Sequence, residues 1–217
     1  MNVNVRDLAA DRAAAANRRA SWMRQLRTWH WISGAISLVS MLLFAITGIT
    51  LNHSSLIEAK PQVTSKEAVL DAAVVADIAK MPRAGRAEVP SPLVSAIAKA
   101  VGVDIAGREA EWSEGEVYVS LPRPGGDAWV SIEREKGEVT YERTDRGWVS
   151  YLNDLHKGRH TGSAWSLFID VFALCSIVFC ITGLLLLQMY AKGRSSTWPL
   201  VGFGLGIPVL IALFLIH

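Results

Sequence analysis

Three long apolar runs limit what this chain can fold into more than any other feature. Trp31–Leu51 extends for 21 residues without a charge, Ser163–Tyr190 for 28 with Asp170 as its only charged residue, and Trp198–Ile216 for 19 with none. As helices rising about 1.5 Å per residue, all three are long enough to cross a hydrocarbon core of about 30 Å. The third carries Pro199, Pro208, Gly202, Gly204 and Gly206. Such residues weaken a helix in water but are tolerated in a bilayer where neighbouring helices support it. The chain is 51% hydrophobic and still 19% charged, so one molecule has to serve both an apolar and an aqueous environment.

Basic residues orient the spans. Six arginines and two aspartates precede His30, the short Ala191–Thr197 loop holds Lys192 and Arg194, and Asn52–Gly162 holds 14 Lys and Arg against 17 Asp and Glu. The positive-inside rule then keeps the N-terminus inside, sends the long connecting stretch across, and leaves the C-terminus outside. The first 28 residues are charged and Ala-rich rather than apolar, so the first span is expected to act as an uncleaved signal anchor. Residues 1–20 read either as an amphipathic helix on the inner surface or as a disordered tail.

The connecting stretch has the pattern of a small α+β module. Val69, Leu70, Ala73, Val74 and Ile78 predict a helix over Ser65–Lys80; Leu93, Val94, Ile97 and Val101 predict another over Ser91–Val101, with Pro82–Pro92 as linker. Alternating apolar and polar residues predict three antiparallel strands at Glu116–Leu121, Asp127–Glu133 and Glu138–Arg143, joined by a Pro-Arg-Pro-Gly-Gly turn and a Lys136-Gly137 turn. Helical spacing returns with Trp148, Tyr151, Leu152 and Leu155 and leads straight into His156, with Gly158 and Gly162 as the places where that helix can break.

Four of the five histidines mark the ends of the apolar runs. His30 opens the first, His53 closes it, His156 and His160 lead into the second, and none occurs between Ser54 and Leu155. Imidazoles so placed suit a haem or metal gripped between helices. His30 and His53 are 23 residues apart, about 34 Å along a helix, and cannot serve one iron. His53 can instead pair with His156 or His160 at the outer side. His156 and His160 share a face if their helix is unbroken; one would then ligate, with His156 favoured, and the other would bond a propionate or serve a second centre. On the inner side His30 stands alone between Trp29 and Trp31, and a centre there needs Met189, open coordination or His30 of a second protomer. Any one of these histidines alone reads more simply as a solvated interfacial residue; the joint placement carries the argument.

An internal repeat accompanies them. Phe44-Ala-Ile-Thr-Gly48 in the first run matches Phe179-Cys-Ile-Thr-Gly183 in the second. Helices running in opposite directions bring His30 level with Thr182-Gly183, and His156 and His160 level with Thr47-Gly48. Gly48 and Gly183 would let a macrocycle plane approach a helix backbone, or would simply let helices pack closely. Asp170 is costly inside a bilayer unless paired or neutral, and could orient a ligand, relay protons or bond across a helix interface. Arg143, Lys157 and Arg159 are placed for propionates or an anionic substrate, although each alone reads as a solvated charge. Cys175 and Cys180, five apart, form no metal or redox motif and read as small buried hydrophobes. His217 reads as an incidental outer residue. The chain has no HExxH helix, GxSxG elbow, phosphate-binding loop or dinucleotide fingerprint, and nothing points to nucleic acid.

The stretch Val130-Ser-Ile-Glu-Arg-Glu-Lys-Gly-Glu-Val-Thr-Tyr-Glu-Arg143, followed by Tyr151-Leu-Asn-Asp-Leu-His156-Lys-Gly, resembles PepSY domains of PepSY-associated transmembrane proteins, as do the Trp-His start and Thr-Gly end of the first span. The resemblance runs from Trp29 to Leu187. It implies a membrane protein with three transmembrane α-helices and an inserted periplasmic α+β PepSY-like domain. The division is 1–28 cytoplasmic segment, 29–53 first transmembrane helix, 54–155 periplasmic domain, 156–190 second transmembrane helix, 191–197 cytoplasmic loop and 198–217 third transmembrane helix. Related members are bacterial inner-membrane proteins linked to iron uptake, some of them haem-containing reductases of siderophore-bound iron. The resemblance therefore implies haem b, one or two per chain, with His30, His53, His156 and His160 as iron ligands. It also implies electron transfer from a quinol or partner reductase to a ferric siderophore. Larger members have four or more spans, so a homodimer or partner would complete the inner site here. PepSY modules also occur as regulators of peptidases; the alternative is a non-enzymatic membrane protein binding a peptidase, metal or assembly partner.

Overall fold

The computed structural model of the chain describes residues 5–57 and 60–216. Helix α1 runs from Val5 to Asn52 without a break. The alanines at 13–16 are the strongest helix formers, so the segment from Val5 onward continues the first span's helix instead of forming a separate surface helix or a coil tail. Helices α5 (Ser163–Tyr190) and α6 (Thr197–Phe214) complete the three apolar helices long enough to cross a membrane. Few of their residues are buried within the protein, and large apolar side chains such as Leu42, Leu174 and Leu205 are exposed, as lipid-facing positions require. The chain divides into two compact units, one of residues up to Met41 with those from Asp170 onward, the other Leu42–Ile169.

Within Leu42–Ile169 lies a six-stranded antiparallel sheet. Its strands are β1 (Gln62–Val69), β2 (Gly85–Glu88), β3 (Glu109–Trp112), β4 (Glu116–Ser120), β5 (Gly126–Glu133) and β6 (Glu138–Asp145), in the order β1-β6-β5-β4-β3-β2. Helices α2 (Ala72–Ile78), α3 (Ser91–Val101) and α4 (Gly147–Lys157) accompany it. Leu93, Ile97 and Val101, four apart on α3, join Ile78 of α2 and the alternating Val117, Val119, Val130, Ile132 and Val139 in one core. Arg134 is buried after β5, and its guanidinium donates to the carbonyls of Ile78, Met81, Pro82 and Ser113. The guanidinium thereby supplies donors to backbone oxygens at and just after the end of α2 and in the β3–β4 turn.

The three expected strands are present, and α3 spans the residues its periodicity predicts. The helix expected over Ser65–Lys80 is overturned in its first half, where Gln62–Val69 is a strand paired with Asp145–Glu138 along its whole length. Nearly all of β1 is exposed, so no alternation of burial marks it, and its conformation is set by the long edge of β6. Strands β2 and β3, four residues each, were not expected; β2 lies inside the predicted linker.

Gly158, at φ 67°, caps α4 by donating to the Asp154 and Leu155 carbonyls, and Gly162 at φ 80° precedes α5. The second spanning helix therefore starts at Ser163 instead of His156. His160 lies in the connector at φ 56°, so His156 and His160 do not share a helix face.

Candidate functional site

The two copies of Phe-x-x-Thr-Gly each hold a histidine. In the unit containing Asp170 onward, residues 30 and 34 of α1 meet 183 and 179 of α5 in opposite order, which marks an antiparallel pair. A Cβ on Gly34 would stand 3.0 Å from the Phe179 ring, so glycine there admits the aromatic side chain. Ser33 and Ser37 are buried on the same helix, their hydroxyls bonded back to α1 carbonyls. Small residues of this kind let two spanning helices approach closely. Phe179 stacks on His30 with ring centroids 4.4 Å apart and planes at 12°. His30 Nδ1 lies 3.1 Å from Thr182 Oγ1 and 3.2 Å from the Phe179 carbonyl oxygen.

Leu42–Ile169 holds the matching arrangement. His156 Nδ1 lies 2.7 Å from Thr47 Oγ1, and Phe44 packs against its ring at 4.9 Å with planes at 41°. One turn away, Thr50 donates to the Asn153 side-chain carbonyl at 2.9 Å. The pairs 47 with 156 and 50 with 153 lock α4 onto the end of α1. From its other side α4 is held to the sheet module: Asp154 accepts from the Gly125 N–H at 2.9 Å, and a Cβ on Gly125 would lie 2.8 Å from Tyr151 Cα. At the start of α4, Asp145 accepts from the Gly147 N–H. That bond, together with the Arg123 and Arg143 guanidiniums, holds the Asp145 carboxyl below the usual carboxylate range against a smaller effect of desolvation.

The glycines face imidazoles. A Cβ on Gly183 would stand 3.2 Å from His30 Cε1, and one on Gly48 would stand 3.6 Å from His156 Cε1. The alignment of His30 with Thr182-Gly183 and of His156 with Thr47-Gly48, expected from the repeat, is thus observed.

The proton positions follow from the acceptors. A carbonyl only accepts, so His30 Nδ1 donates to Phe179 O, and His53 Nδ1 donates to Ile49 O at 3.0 Å. The Thr47 hydroxyl lies within hydrogen-bond distance of Leu43 O at 2.9 Å and Phe44 O at 3.2 Å on its own helix as well as of His156 Nδ1 at 2.7 Å; when its proton goes to its own helix, its oxygen lone pairs are left for His156 Nδ1–H. In the neutral ring His30 and His53 then carry their proton on Nδ1, and His156 does the same when the Thr47 hydroxyl bonds its own helix. No Nε2 of the three has a hydrogen bond among the described residues.

This donor set fits a metal or haem iron, whose histidine ligands use one nitrogen and give the other N–H to an oxygen. Each site supplies one imidazole. Among the described residues, no ring contact or hydrogen bond joins His53 to His156 or His160, and no group of three or more His, Cys, Asp or Glu gathers around a point. His53 and His160 are exposed, Met189 is half-buried, and His217 lies outside the described residues. Arg143 is engaged with Asp145, while Lys157, Arg159 and Asp170 are exposed. Cys175 and Cys180 are free thiols, Cys175 half-buried and Cys180 exposed.

A family model described as PepSY_TM-like matches residues 21–217, taking in the three spanning helices, the sheet and both histidine cradles. The chain belongs to the PepSY_TM-like family. Like the three apolar helices, that membership makes it a membrane protein. No curated protein and no solved structure matches it. Phe44, Thr47, Phe179 and Thr182 are the site residues that sequence reasoning left out. The repeat contained all four, but attention to the small residues passed over the hydroxyl and the ring that touch each imidazole.

Proposed function

We propose that this PepSY_TM-like protein carries haem b in a bacterial inner membrane and passes electrons to a periplasmic acceptor, ferric iron held by a siderophore. His30, His53 and His156 would hold its iron through Nε2, with His160 a further candidate. The observation that carries this reading is that, among the described residues, no Nε2 of the first three has a hydrogen bond while each Nδ1 lies against an oxygen. Haem, when bound, supplies one-electron chemistry at iron; the chain's part is to present a basic nitrogen and hold its ring in place.

Phe179 and Phe44 fix the ring planes, and Thr182 and Thr47 fix the rotation about them. Because each cradle holds one imidazole, any second ligand would come from a second copy of the chain or a partner. The arginines before His30 support a cytoplasmic N-terminus and a periplasmic sheet module. Electrons would come from a quinol or a partner reductase.

The test is the absorption spectrum of full-length protein purified in detergent from haem-replete cells, with haem quantified per chain. A Soret band that changes in His156→Ala and His53→Ala is the expected result; no Soret band in the unmodified protein overturns the proposal. A second reading, a non-enzymatic membrane protein whose module binds a peptidase, metal or assembly partner, is favoured by the same bonds taken differently. Thr47–His156 and Thr182–His30 already join helices without a cofactor. It predicts that His156→Asn loosens α4 from α1, seen as faster amide exchange at Asn153 and Thr50, in protein that never binds haem.

A further inference from the structure

We propose that Thr47 and Thr182 are positioning residues that decide which imidazole nitrogen stays bare, and that they do so unequally. Each threonine hydroxyl has an acceptor for its single proton on its own helix, Thr47 in Leu43 O at 2.9 Å and Thr182 in Val178 O at 2.7 Å, and under the proposal the proton goes there. What each offers the histidine is therefore an oxygen lone pair, which only an Nδ1–H can meet. Valine has the same shape without that oxygen.

The inequality comes from the acceptors. His30 Nδ1 has two, Thr182 Oγ1 at 3.1 Å and the Phe179 carbonyl at 3.2 Å. Among the described residues His156 Nδ1 has Thr47 alone, at 2.7 Å. Removing Thr182 leaves His30 a carbonyl that still demands Nδ1–H, whereas removing Thr47 leaves His156 no acceptor among the described residues. The assignment of the protonated nitrogen stands on this geometry. Its consequence for iron rests on the ligand reading proposed above: a lost Nδ1–H bond makes the imidazole a weaker donor and raises the reduction potential of a bound haem.

The experiment uses full-length protein in nanodiscs, labelled with ¹⁵N-histidine and prepared without haem, at about pH 8.5 so that ordinary imidazoles are neutral. Ring nitrogen shifts report the protonated nitrogen, and His156→Asn and His30→Asn assign the signals. The expected result is an Nδ1–H signature for both histidines in the unmodified protein and in Thr47→Ser. In Thr47→Val the His156 signature moves toward Nε2–H, while in Thr182→Val His30 keeps Nδ1–H. An unchanged His156 signature in Thr47→Val overturns the proposal, as does Nε2–H in the unmodified protein. Should Thr47→Val fail to fold, Thr47→Ala removes the same oxygen and gives the same two outcomes. Redox titration of haem-loaded protein then separates the readings. Failure to load haem overturns the functional proposal and leaves the positioning role intact, whereas loading with a higher potential in Thr47→Val supports both.

Discussion

In the sheet module Ile78, Ile97, Ile105, Val117, Val119, Val130 and Ile132 have no exposed surface, whereas Leu42, Leu174 and Leu205 of the spanning helices are 62%, 63% and 72% exposed. Both regions are apolar, and the difference lies in what each side chain touches. The module draws its stability from removing apolar surface from water, about 25 cal/mol per Å². The spanning helices keep their apolar surface for lipid, which is as apolar as leucine and offers no such gain between helices. Polar and shape-specific contacts therefore carry the specificity there, and in this protein two of them end on histidines.

The strongest test of the contrast is a matched pair of truncations. Ile132→Ala, at a site with no exposure, is expected to cost about 3 kcal/mol in denaturant unfolding of the full chain followed by tryptophan fluorescence. Ile181→Ala, 54% exposed on α5, is expected to stay within about 0.5 kcal/mol in the same detergent. Equal losses would mean that the spanning helices bury far more against protein than the contrast allows. Arg134→Leu comes next, at about 2 kcal/mol, because it strips four carbonyls of the donor that a buried guanidinium gives them. A loss no larger than that of an exposed charge such as Lys136→Leu would show that water replaces the guanidinium.

Smaller effects separate the two cradles. Gly183→Ala must push His30 aside from a 3.2 Å contact and is expected to cost about 1 kcal/mol, partly offset by the better helix propensity of alanine. Gly48→Ala meets His156 at an ordinary 3.6 Å and is expected to be neutral or slightly stabilising. Thermal unfolding in one detergent ranks them, and the reverse order would break the comparison. The smallest effect is electrostatic. Asp145 has a folded-state pKa below its unfolded one, so its contribution is full above the ordinary carboxylate range and is lost as pH falls through the folded value. Asp145→Asn should therefore lower stability slightly at neutral pH, leave it unchanged at acid pH and flatten the limb between, as read by unfolding curves across pH.

How legible each region was follows from the same physics. The apolar runs were readable because a span needs an unbroken stretch of fixed length. Strands β4, β5 and β6 were readable because one buried face forces alternation. Strand β1 was not: it has no buried face, its local pattern mimics a helix, and only the edge of β6 makes it extended. The break between α4 and α5 was visible as Gly158 and Gly162, but the consequence that His160 leaves the face of His156 required their positive φ values.

By itself the sequence determined that three helices belong in a membrane, that a small α+β module interrupts them, and that His30 and His156 come level with Thr-Gly pairs. These follow from length, periodicity and helix rise, which are local. Tertiary structure decided which atoms of those residues meet. That Thr47 and Thr182 face Nδ1 and that phenylalanine rings pack on the imidazoles are facts of distance and rotation between segments more than a hundred residues apart. A hydrogen bond depends on tenths of an ångström, and no spacing along a chain encodes that.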